Sequence, residues 1–457
     1  MKKLICLFIA LLMIAGLCAC GAAKNESSVD ADPAEKPASL EPTDIKGSGA
    51  DGEEAEPSAA KDMFASKAED IAPEGGAKSA ERDDGGYAVI DDPVVPSSPD
   101  IAADFGGEDG GVPGDEPPAD TAPIEAGTLT AGEWKDNDNY DFWRKVLARE
   151  EWAGLARLWK MDVTKRFAVT VSDGQNTAKN AAVELLDAEG NVISRAVTDS
   201  YGKAYLYYDI DSAGKVPAAV SVGGAQHEIT ADQLAAGGAT VSGAGERYTK
   251  LDLMFTTDTT GSMTDELEYL KKEMGSVIER VAGENDGLDI RLSVNFYRDE
   301  GDEYVVRSFA FSGDIEEVIR QLDQQFSDGG GDYPEAVHTA LDDSVNGHDW
   351  RDDAVKLLFL TLDAPGHSDA AGVPESVRAS VVAAAAKGIR IIPVAASGVD
   401  TETEFMLRAM ACATGGTYIF LTDHSGVGES HLEPTIGDYN VKKLNDLLVK
   451  VISEYCK

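Results

Sequence analysis

The sequence is poor in basic residues. It contains 40 Lys and Arg against 82 Asp and Glu, so the 457-residue chain carries a formal net charge of −42. A protein with this charge repels polyanions, which argues against nucleic acid and anionic lipid head groups as partners. The composition instead favours cations as binding partners.

Long apolar runs are also scarce. The run over residues 4–17 follows Lys2 and Lys3 and is too short to span a bilayer, a pattern typical of a secretory signal over residues 1–19. After Cys20 no apolar stretch is long enough to cross a membrane. We therefore expect an exported chain without a transmembrane helix.

Cysteine is rare, with five in the chain. The sequence Leu17-Cys18-Ala19-Cys20-Gly21 resembles the lipobox of bacterial lipoproteins. The resemblance implies that Cys20 is acylated and becomes the mature N-terminus, so that lipid alone anchors the protein outside the cytoplasmic membrane. An ordinary cleaved signal and a secreted protein are the alternative. Of the later cysteines, Cys412 and Cys456 could form a disulfide, or Cys412 could be buried with Cys456 free.

Residues 20–127 contain few aromatic residues. From residue 21 this segment has 27 Asp or Glu against 7 Lys or Arg, and its aromatic residues are Phe64, Tyr87 and Phe105. Such a segment cannot bury enough apolar surface to offset the entropy lost on ordering. We predict a disordered, extended acidic tether.

Aromatic residues become frequent in residues 128–162, where apolar positions near helical spacing predict one or two helices that dock on the domain that follows. The aromatic residues are Trp134, Tyr140, Phe142, Trp143, Trp152 and Trp159. In residues 163–245 the apolar period changes to that of short strands, which predicts a small β-sandwich. The stretch 198–204 resembles a turn and strand of carboxypeptidase regulatory-like and related immunoglobulin-like surface modules.

Residues 246–457 alternate apolar strands with amphipathic helices. This pattern predicts an α/β domain with a doubly wound, mostly parallel sheet covered on both faces. Strands are expected at 251–257, 290–297, 355–362, 389–395 and 417–421, with 304–311 as an antiparallel edge. Helices are expected near 264–281, 314–325, 334–345, 374–387, 402–413 and 438–455. In such a fold, ligands bind at the carboxyl ends of the strands.

Oxygen-bearing side chains follow the first of these strands. Asp258, Thr260 and Ser262 alternate, so one carboxylate and two hydroxyls can converge on a point, and Gly261 allows a tight turn. Hard oxygen ligands suit Mg²⁺, with Mn²⁺ or Ca²⁺ as substitutes. An ordinary helix N-cap is the alternative for this loop taken alone.

The loop Asp-Thr-Thr-Gly-Ser-Met resembles the metal-ion-dependent adhesion site of von Willebrand factor A (VWA) domains, whose first loop reads Asp-x-Ser/Thr-x-Ser. The family's second loop carries a Thr, matched in position by Asp332, and its third carries an Asp, matched by Asp363. The resemblance spans about residues 250–452. It implies a Rossmann-like fold and a metal site formed by Asp258, Thr260, Ser262, Asp332 and Asp363, at which an acidic side chain of a protein ligand completes the coordination.

Asp in place of Thr departs from the family pattern. Direct coordination by Asp332 would tighten cation binding and reduce the affinity of the metal for an acidic ligand. Asp332 could instead bind a metal-bound water.

Histidines and acids elsewhere offer weaker candidates for chemistry. His338 and His367 could lie near the metal face, although a surface or loop position is the favoured interpretation for each. A second metal site is conceivable in the last Gly-rich loop, where a capping role is favoured; its residues are Asp423, His424, His431, Glu433 and Asp438.

The order of segments favours a binding protein over an enzyme. The chain has no Ser-His-Asp order, metalloprotease helix motif, phosphate loop or dinucleotide fingerprint. We expect a lipid-anchored surface protein that binds a protein ligand in adhesion or envelope scaffolding. A protein that senses or assembles envelope components is one alternative. The other is a metal-assisted hydrolase of the cell envelope that uses Asp258 and Asp363 with His367 as general base.

Overall fold

The computed structural model describes residues 43–45, 124–208, 210, 214–245, 248–284 and 287–457. The predicted signal over residues 1–19, Cys20 and most of the predicted tether lie outside the described residues. The described part of the tether includes one short strand, β1 (Thr43–Ile45), which belongs to the main sheet. The acidic composition of the tether did not indicate this strand.

The aromatic-rich segment contains a strand as well as the expected helices. Its elements are β2 (Thr130–Trp134), α1 (Tyr140–Leu147) and α2 (Glu150–Leu158). The ring of Trp143 meets Trp152 edge to face at 5.6 Å, and Trp152 meets Phe405 of the α/β domain at 6.3 Å. Both indoles are buried, so the helices pack against the α/β domain through their aromatic residues.

A module of two sheets follows. Its elements are β3 (Arg166–Ser172), β4 (Ala182–Leu186), β5 (Val192–Val197), β6 (Lys203–Tyr207), β7 (Ala219–Val222), β8 (Ala225–Glu228), α3 (Ala231–Ala236) and β9 (Gly238–Ser242). The sheets have the orders β6-β3-β9 and β5-β4-β7-β8. In β3, Phe167, Val169 and Val171 are buried and their neighbours are half-buried, as the period of two requires. These side chains share one apolar cluster with residues of the other sheet.

The α/β part begins at residue 250 and extends to the end of the chain. Its elements are β10 (Lys250–Asp258), α4 (Thr264–Glu284), β11 (Asp289–Tyr297), β12 (Val306–Ser308), α5 (Ile315–Asp323), α6 (Val337–Asp342), β13 (Ala354–Leu362), α7 (Val373–Lys387), β14 (Ile389–Ala395), α8 (Thr401–Thr414), β15 (Tyr418–Leu421), β16 (Lys442–Lys443) and α9 (Leu444–Cys456).

The main sheet has the strand order β1-β12-β11-β10-β13-β14-β15-β2-β16. Strands β11, β10, β13, β14 and β15 run parallel to one another. Antiparallel strands flank them, with β12 and β1 at one edge and β2 and β16 at the other. Every residue of β13 is buried, as expected for a strand covered on both faces. The predicted α/β fold with a mostly parallel sheet is confirmed.

The two faces of this sheet bury separate apolar clusters. Cys412 belongs to the cluster that contains α8, and Cys456 packs at the margin of the opposite one. Both cysteines are free in the structure, so the candidate disulfide between them is not formed. The sheet separates the two thiols, and the Cys412 side chain instead contacts Tyr207 and Asn137. The alternative of a buried Cys412 with a free Cys456 describes the structure.

A buried ion network joins the aromatic-rich segment to α8. Arg408 donates to Asp136 at 2.7 Å and to Glu404 at 2.9 Å, and all three side chains are almost fully buried. The described residues belong to one compact unit by their internal contacts. Among the described residues, no helix has the length and apolar character needed to cross a membrane.

Candidate metal site

The loop after β10 brings the first three predicted ligands together. The Asp258 carboxylate accepts hydrogen bonds from the backbone N–H of Thr260 at 2.9 Å and from its hydroxyl at 2.7 Å. The Thr260 hydroxyl is 3.2 Å from that of Ser262. Asp258 and Thr260 are buried, whereas Ser262 is exposed, so the group opens to solvent through Ser262.

Asp363 follows β13, the strand next to β10 in the sheet. Burial raises the pKa of Asp258, and the nearby charge of Asp363 raises it further. Burial likewise raises the pKa of Asp363, although the Ser262 hydroxyl opposes this effect. One oxygen of each carboxylate, Asp258 Oδ2 and Asp363 Oδ1, is buried without a hydrogen-bond partner. Burial is thus the main cause of both raised pKa values, and it also leaves these two oxygens without water as a partner.

The second loop contributes Glu335 to this group. Glu335 is 2 % exposed, and its Oε2 also lacks a hydrogen-bond partner. Burial raises the pKa of Glu335 to about 9, and the charges of Asp258, Asp299 and Asp363 add to the effect. We call Asp258, Thr260, Ser262, Glu335 and Asp363 the Asp258 site.

Backbone contacts between loops hold Glu335 in place. Its N–H donates to the carbonyl of Pro365 at 2.9 Å, which ties the second loop to the loop that carries Asp363. The hydroxyl of Tyr333 donates to the carbonyl of Gly398 at 3.0 Å. Gly330 has φ of +73°, and a Cβ there would lie 3.2 Å from Glu335 Oε1 and 3.3 Å from Thr260 Cβ. A glycine therefore allows the loop to lie against both residues.

Asp332 lies in a neighbouring group. It is exposed, and one of its carboxylate oxygens lies within 4.8 Å of ligand atoms of both Asp299 and His367, which also lie within that distance of each other. His367 Nε2 is 2.8 Å from Asp299 Oδ1. We call these three residues the His367 cluster. Coordination by Asp332 of the same ion as Asp258 stays a prediction.

The Asp258 site has the donors that a hard divalent cation requires. It offers three carboxylates and two hydroxyls, and no described Lys or Arg nitrogen lies within 4.0 Å of those carboxylates. Among the described residues, only the His367 cluster has three acidic, His or Cys side chains whose ligand atoms all lie within 4.8 Å of one another. Asp258, Glu335 and Asp363 are thus more widely spaced. Oxygen donors of this kind suit Mg²⁺, which usually keeps several of its waters.

The remaining candidates do not form metal groups among the described residues. His431 is 2.8 Å from Asp423 through Nδ1 and 2.9 Å from Glu266 through Nε2. Burial lowers the pKa of His431, but these two contacts outweigh burial and raise it overall. The arrangement fits the favoured interpretation of a capping loop. His338 is half-buried in α6, and burial lowers its pKa.

Sequence reasoning missed Glu335 and Asp299. Glu335 lies two residues before α6 and resembles an ordinary acid at a helix start, which concealed its burial. Asp299 lies two residues beyond β11, at the carboxyl end of a third parallel strand. The rule that binding residues gather at these strand ends could have identified Asp299.

Parts of the chain are similar to known proteins. Residues 252–430 match the family described as von Willebrand factor type A domain. An "Alpha-protein kinase vwkA" from Dictyostelium discoideum is 29 % identical to this chain over 118 residues, which cover 26 % of this chain and 19 % of that protein. The chain thus spans about a fifth of that relative's length. Similarity to the crystal structure of the conserved hypothetical protein BatB from Bacteroides thetaiotaomicron covers 45 % of this chain and 98 % of that one, at 13 % identity and a TM-score of 0.31.

Proposed function

The chain contains a von Willebrand factor type A domain, and from this we propose that it binds a protein ligand through a divalent cation held at the Asp258 site. VWA domains generally mediate protein–protein interaction or adhesion, and they often bind a divalent metal ion. One observation carries the proposal. Three buried carboxylate oxygens without partners lie beside two hydroxyls, where the loop before α6 meets the carboxyl ends of the adjacent parallel strands β10 and β13.

The residues of the Asp258 site would supply a cation with both neutral and negatively charged oxygen ligands. Thr260 and Ser262 offer neutral hydroxyl oxygens, and the exposed Ser262 marks the side from which a ligand would approach. Asp258, Glu335 and Asp363 offer the negative charge. Mg²⁺ fits these hard oxygen donors best, with Mn²⁺ or Ca²⁺ as substitutes. When bound, the ion would supply an electrophilic centre for an oxygen atom of the ligand.

The proposed location rests on the sequence. A lipid on Cys20 and the acidic tether over residues 20–127 would hold the domain outside the cytoplasmic membrane, where it could meet ligands of the cell surface or envelope. The alternative of a metal-assisted hydrolase receives no support from the comparisons, because VWA domains are usually interaction modules without catalytic activity.

Calorimetric titration of Mg²⁺ into the purified full chain tests the proposal. We expect one site that is lost in Asp258→Ala and weakened in Ser262→Ala, which removes an exposed hydroxyl and leaves the buried carboxylates in place. Asp369→Ala, which removes an exposed acid six residues after Asp363, should bind as the wild type does. Absence of binding to a folded wild-type chain, or binding that survives Asp258→Ala, would overturn the proposal.

Ligand binding can then be measured directly. Envelope fractions passed over immobilised full chain should yield a protein that is retained with Mg²⁺ and released by a chelator. Retention that is equal in the wild type and Asp258→Ala would contradict a role for the cation in binding the ligand.

A further inference from the structure

The His367 cluster combines residues from three separate loops. Asp299 follows β11, Asp332 lies in the Gly-rich loop before α6, and His367 follows Asp363. The three offer two carboxylates and one imidazole with their ligand atoms within 4.8 Å of one another. Asp299 is 7 % exposed, whereas Asp332 is exposed and His367 is half-buried. The group is therefore anchored in the fold and open on one side.

Asp302 fixes the relative position of two of these loops. Its Oδ2 accepts from the N–H of Asp299 at 3.1 Å and from the N–H of Gly330 at 3.0 Å. At Gly329, with φ of +79°, a Cβ would lie 2.4 Å from the Asp302 carboxylate, so only glycine permits this contact. The approach of Asp332 to Asp299 thus follows from hydrogen bonds that involve neither of their side chains.

Glu335 links the cluster to the Asp258 site. Its buried Oε2 has no hydrogen-bond partner, and Asp299 contributes to the negative potential that Glu335 experiences, along with Asp258 and Asp363. An unpartnered carboxylate oxygen in this position is a vacant ligand for a cation.

Among the described residues, the acids of the two groups have no basic side chain of Lys or Arg beside them. The two groups together hold five carboxylates, and no described Lys or Arg nitrogen lies within 4.0 Å of any of them. The adjacent Arg298 directs its guanidinium to the carbonyl of Phe326 at 3.0 Å and towards Asp328 at 3.8 Å.

We propose that Asp299, Asp332 and His367 form a second cation site, which takes a first-row transition-metal ion such as Zn²⁺. An imidazole nitrogen with two carboxylates is a donor set of Zn²⁺ and its neighbours, whereas Mg²⁺ prefers oxygen alone. Three protein ligands leave a position open for water or for a ligand atom. This site would act beside the Asp258 site and differ from it in metal preference, and it does not depend on the proposed function.

A simple ion pair is the competing account. In that case His367 pairs with Asp299, Asp332 is solvated, and transition metals bind no better than at any exposed histidine. The two accounts differ in whether Asp332 and His367 act together.

Titration of Co²⁺ and Zn²⁺ into the full chain with saturating Mg²⁺ distinguishes them. Co²⁺ reports its ligands through visible absorption, and Zn²⁺ should displace it. We expect one Co²⁺ per chain. Its affinity should fall about tenfold or more in His367→Ala, which removes the imidazole ligand, and in Asp332→Asn, which replaces a charged carboxylate with a neutral amide. His424→Ala removes an exposed imidazole elsewhere and should leave the spectrum and affinity unchanged.

The Asp258→Ala variant separates this site from the first. It should lose Mg²⁺ binding and keep the Co²⁺ spectrum, whereas His367→Ala should lose the Co²⁺ spectrum and keep Mg²⁺ binding. Co²⁺ binding that is indifferent to both His367→Ala and Asp332→Asn would overturn the proposal, as would loss of both ions on Asp258→Ala. A wild type that binds Co²⁺ but not Mg²⁺ would count against the proposed function and not against this second site.

Discussion

Glu335→Gln should stabilise the cation-free protein at neutral and alkaline pH. The raised pKa of Glu335, about 9 against 4.5 for an unperturbed Glu, means that the folded state holds this proton more tightly than the unfolded state. The contribution of Glu335 to stability is therefore fully present below about pH 4.5 and is lost as pH rises towards 9. Gln has nearly the same shape as a protonated Glu and has no proton to lose.

The magnitude follows from the shift. Each pH unit inside this window lowers the free energy of unfolding by up to ~1.4 kcal/mol, so the wild type loses at most ~4 kcal/mol between about pH 5 and pH 8. The loops open to solvent through the exposed Ser262, and water there screens part of the charge. We expect a difference of about 2 kcal/mol between the variant and the wild type at pH 8 and nearly none at pH 5.

Urea denaturation of the full chain in chelator, at several pH values, measures this difference. Glu300→Gln is the matched control, because Glu300 is an exposed acid near the same loops and should follow the wild type at every pH. Parallel stability curves for the wild type and Glu335→Gln would refute the argument, since they would show that Glu335 is ionised without cost in the folded protein.

Three further predictions concern stability. Arg408→Met should cost about 3–5 kcal/mol in urea denaturation, because it leaves Asp136 and Glu404 buried without their partner; a loss below 1 kcal/mol would contradict this. Gly416→Ala should cost about 1–3 kcal/mol or more, because its Cβ would lie 1.8 Å from the Ile391 carbonyl oxygen. Gly275→Ala, where the added Cβ meets nothing within 4 Å in α4, should instead raise the midpoint of thermal unfolding slightly.

The α/β architecture could be predicted because its signals are local. The central parallel strands are rich in apolar residues and the helices alternate with them, so both can be recognised within 4 to 21 residues of sequence. Strand β2 could not be predicted in the same way. Its partner is β15, in which Tyr418 pairs with Trp134, and a pairing across such a sequence separation leaves no local pattern. The aromatic residues around β2 also favoured a helical interpretation.

In the candidate site, too, the residues with a local sequence signal could be predicted and those positioned by long-range contacts could not. The positions of Asp258, Thr260, Ser262 and Asp363 at one edge of the sheet could be predicted from the sequence. These residues lie at or just beyond the carboxyl ends of parallel strands. The second loop is different, since its path depends on the hydrogen bond from Glu335 to Pro365 and on the glycine conformations before it. Asp332 and Glu335 are only three residues apart, and sequence alone could not tell which of them the loop buries.

A third carboxylate changes what a cation at the Asp258 site can offer a ligand. Asp258 and Asp363 alone, when ionised, balance a divalent ion, and an acidic ligand would then bring the only excess negative charge. With Glu335 also ionised, the loaded site is already negative, and desolvating an acidic side chain beside it is unfavourable. An acidic ligand is therefore favoured only while Glu335 keeps its proton, which burial promotes. A neutral oxygen, such as a backbone carbonyl or a hydroxyl, is subject to no such condition and could complete the coordination in either state of Glu335.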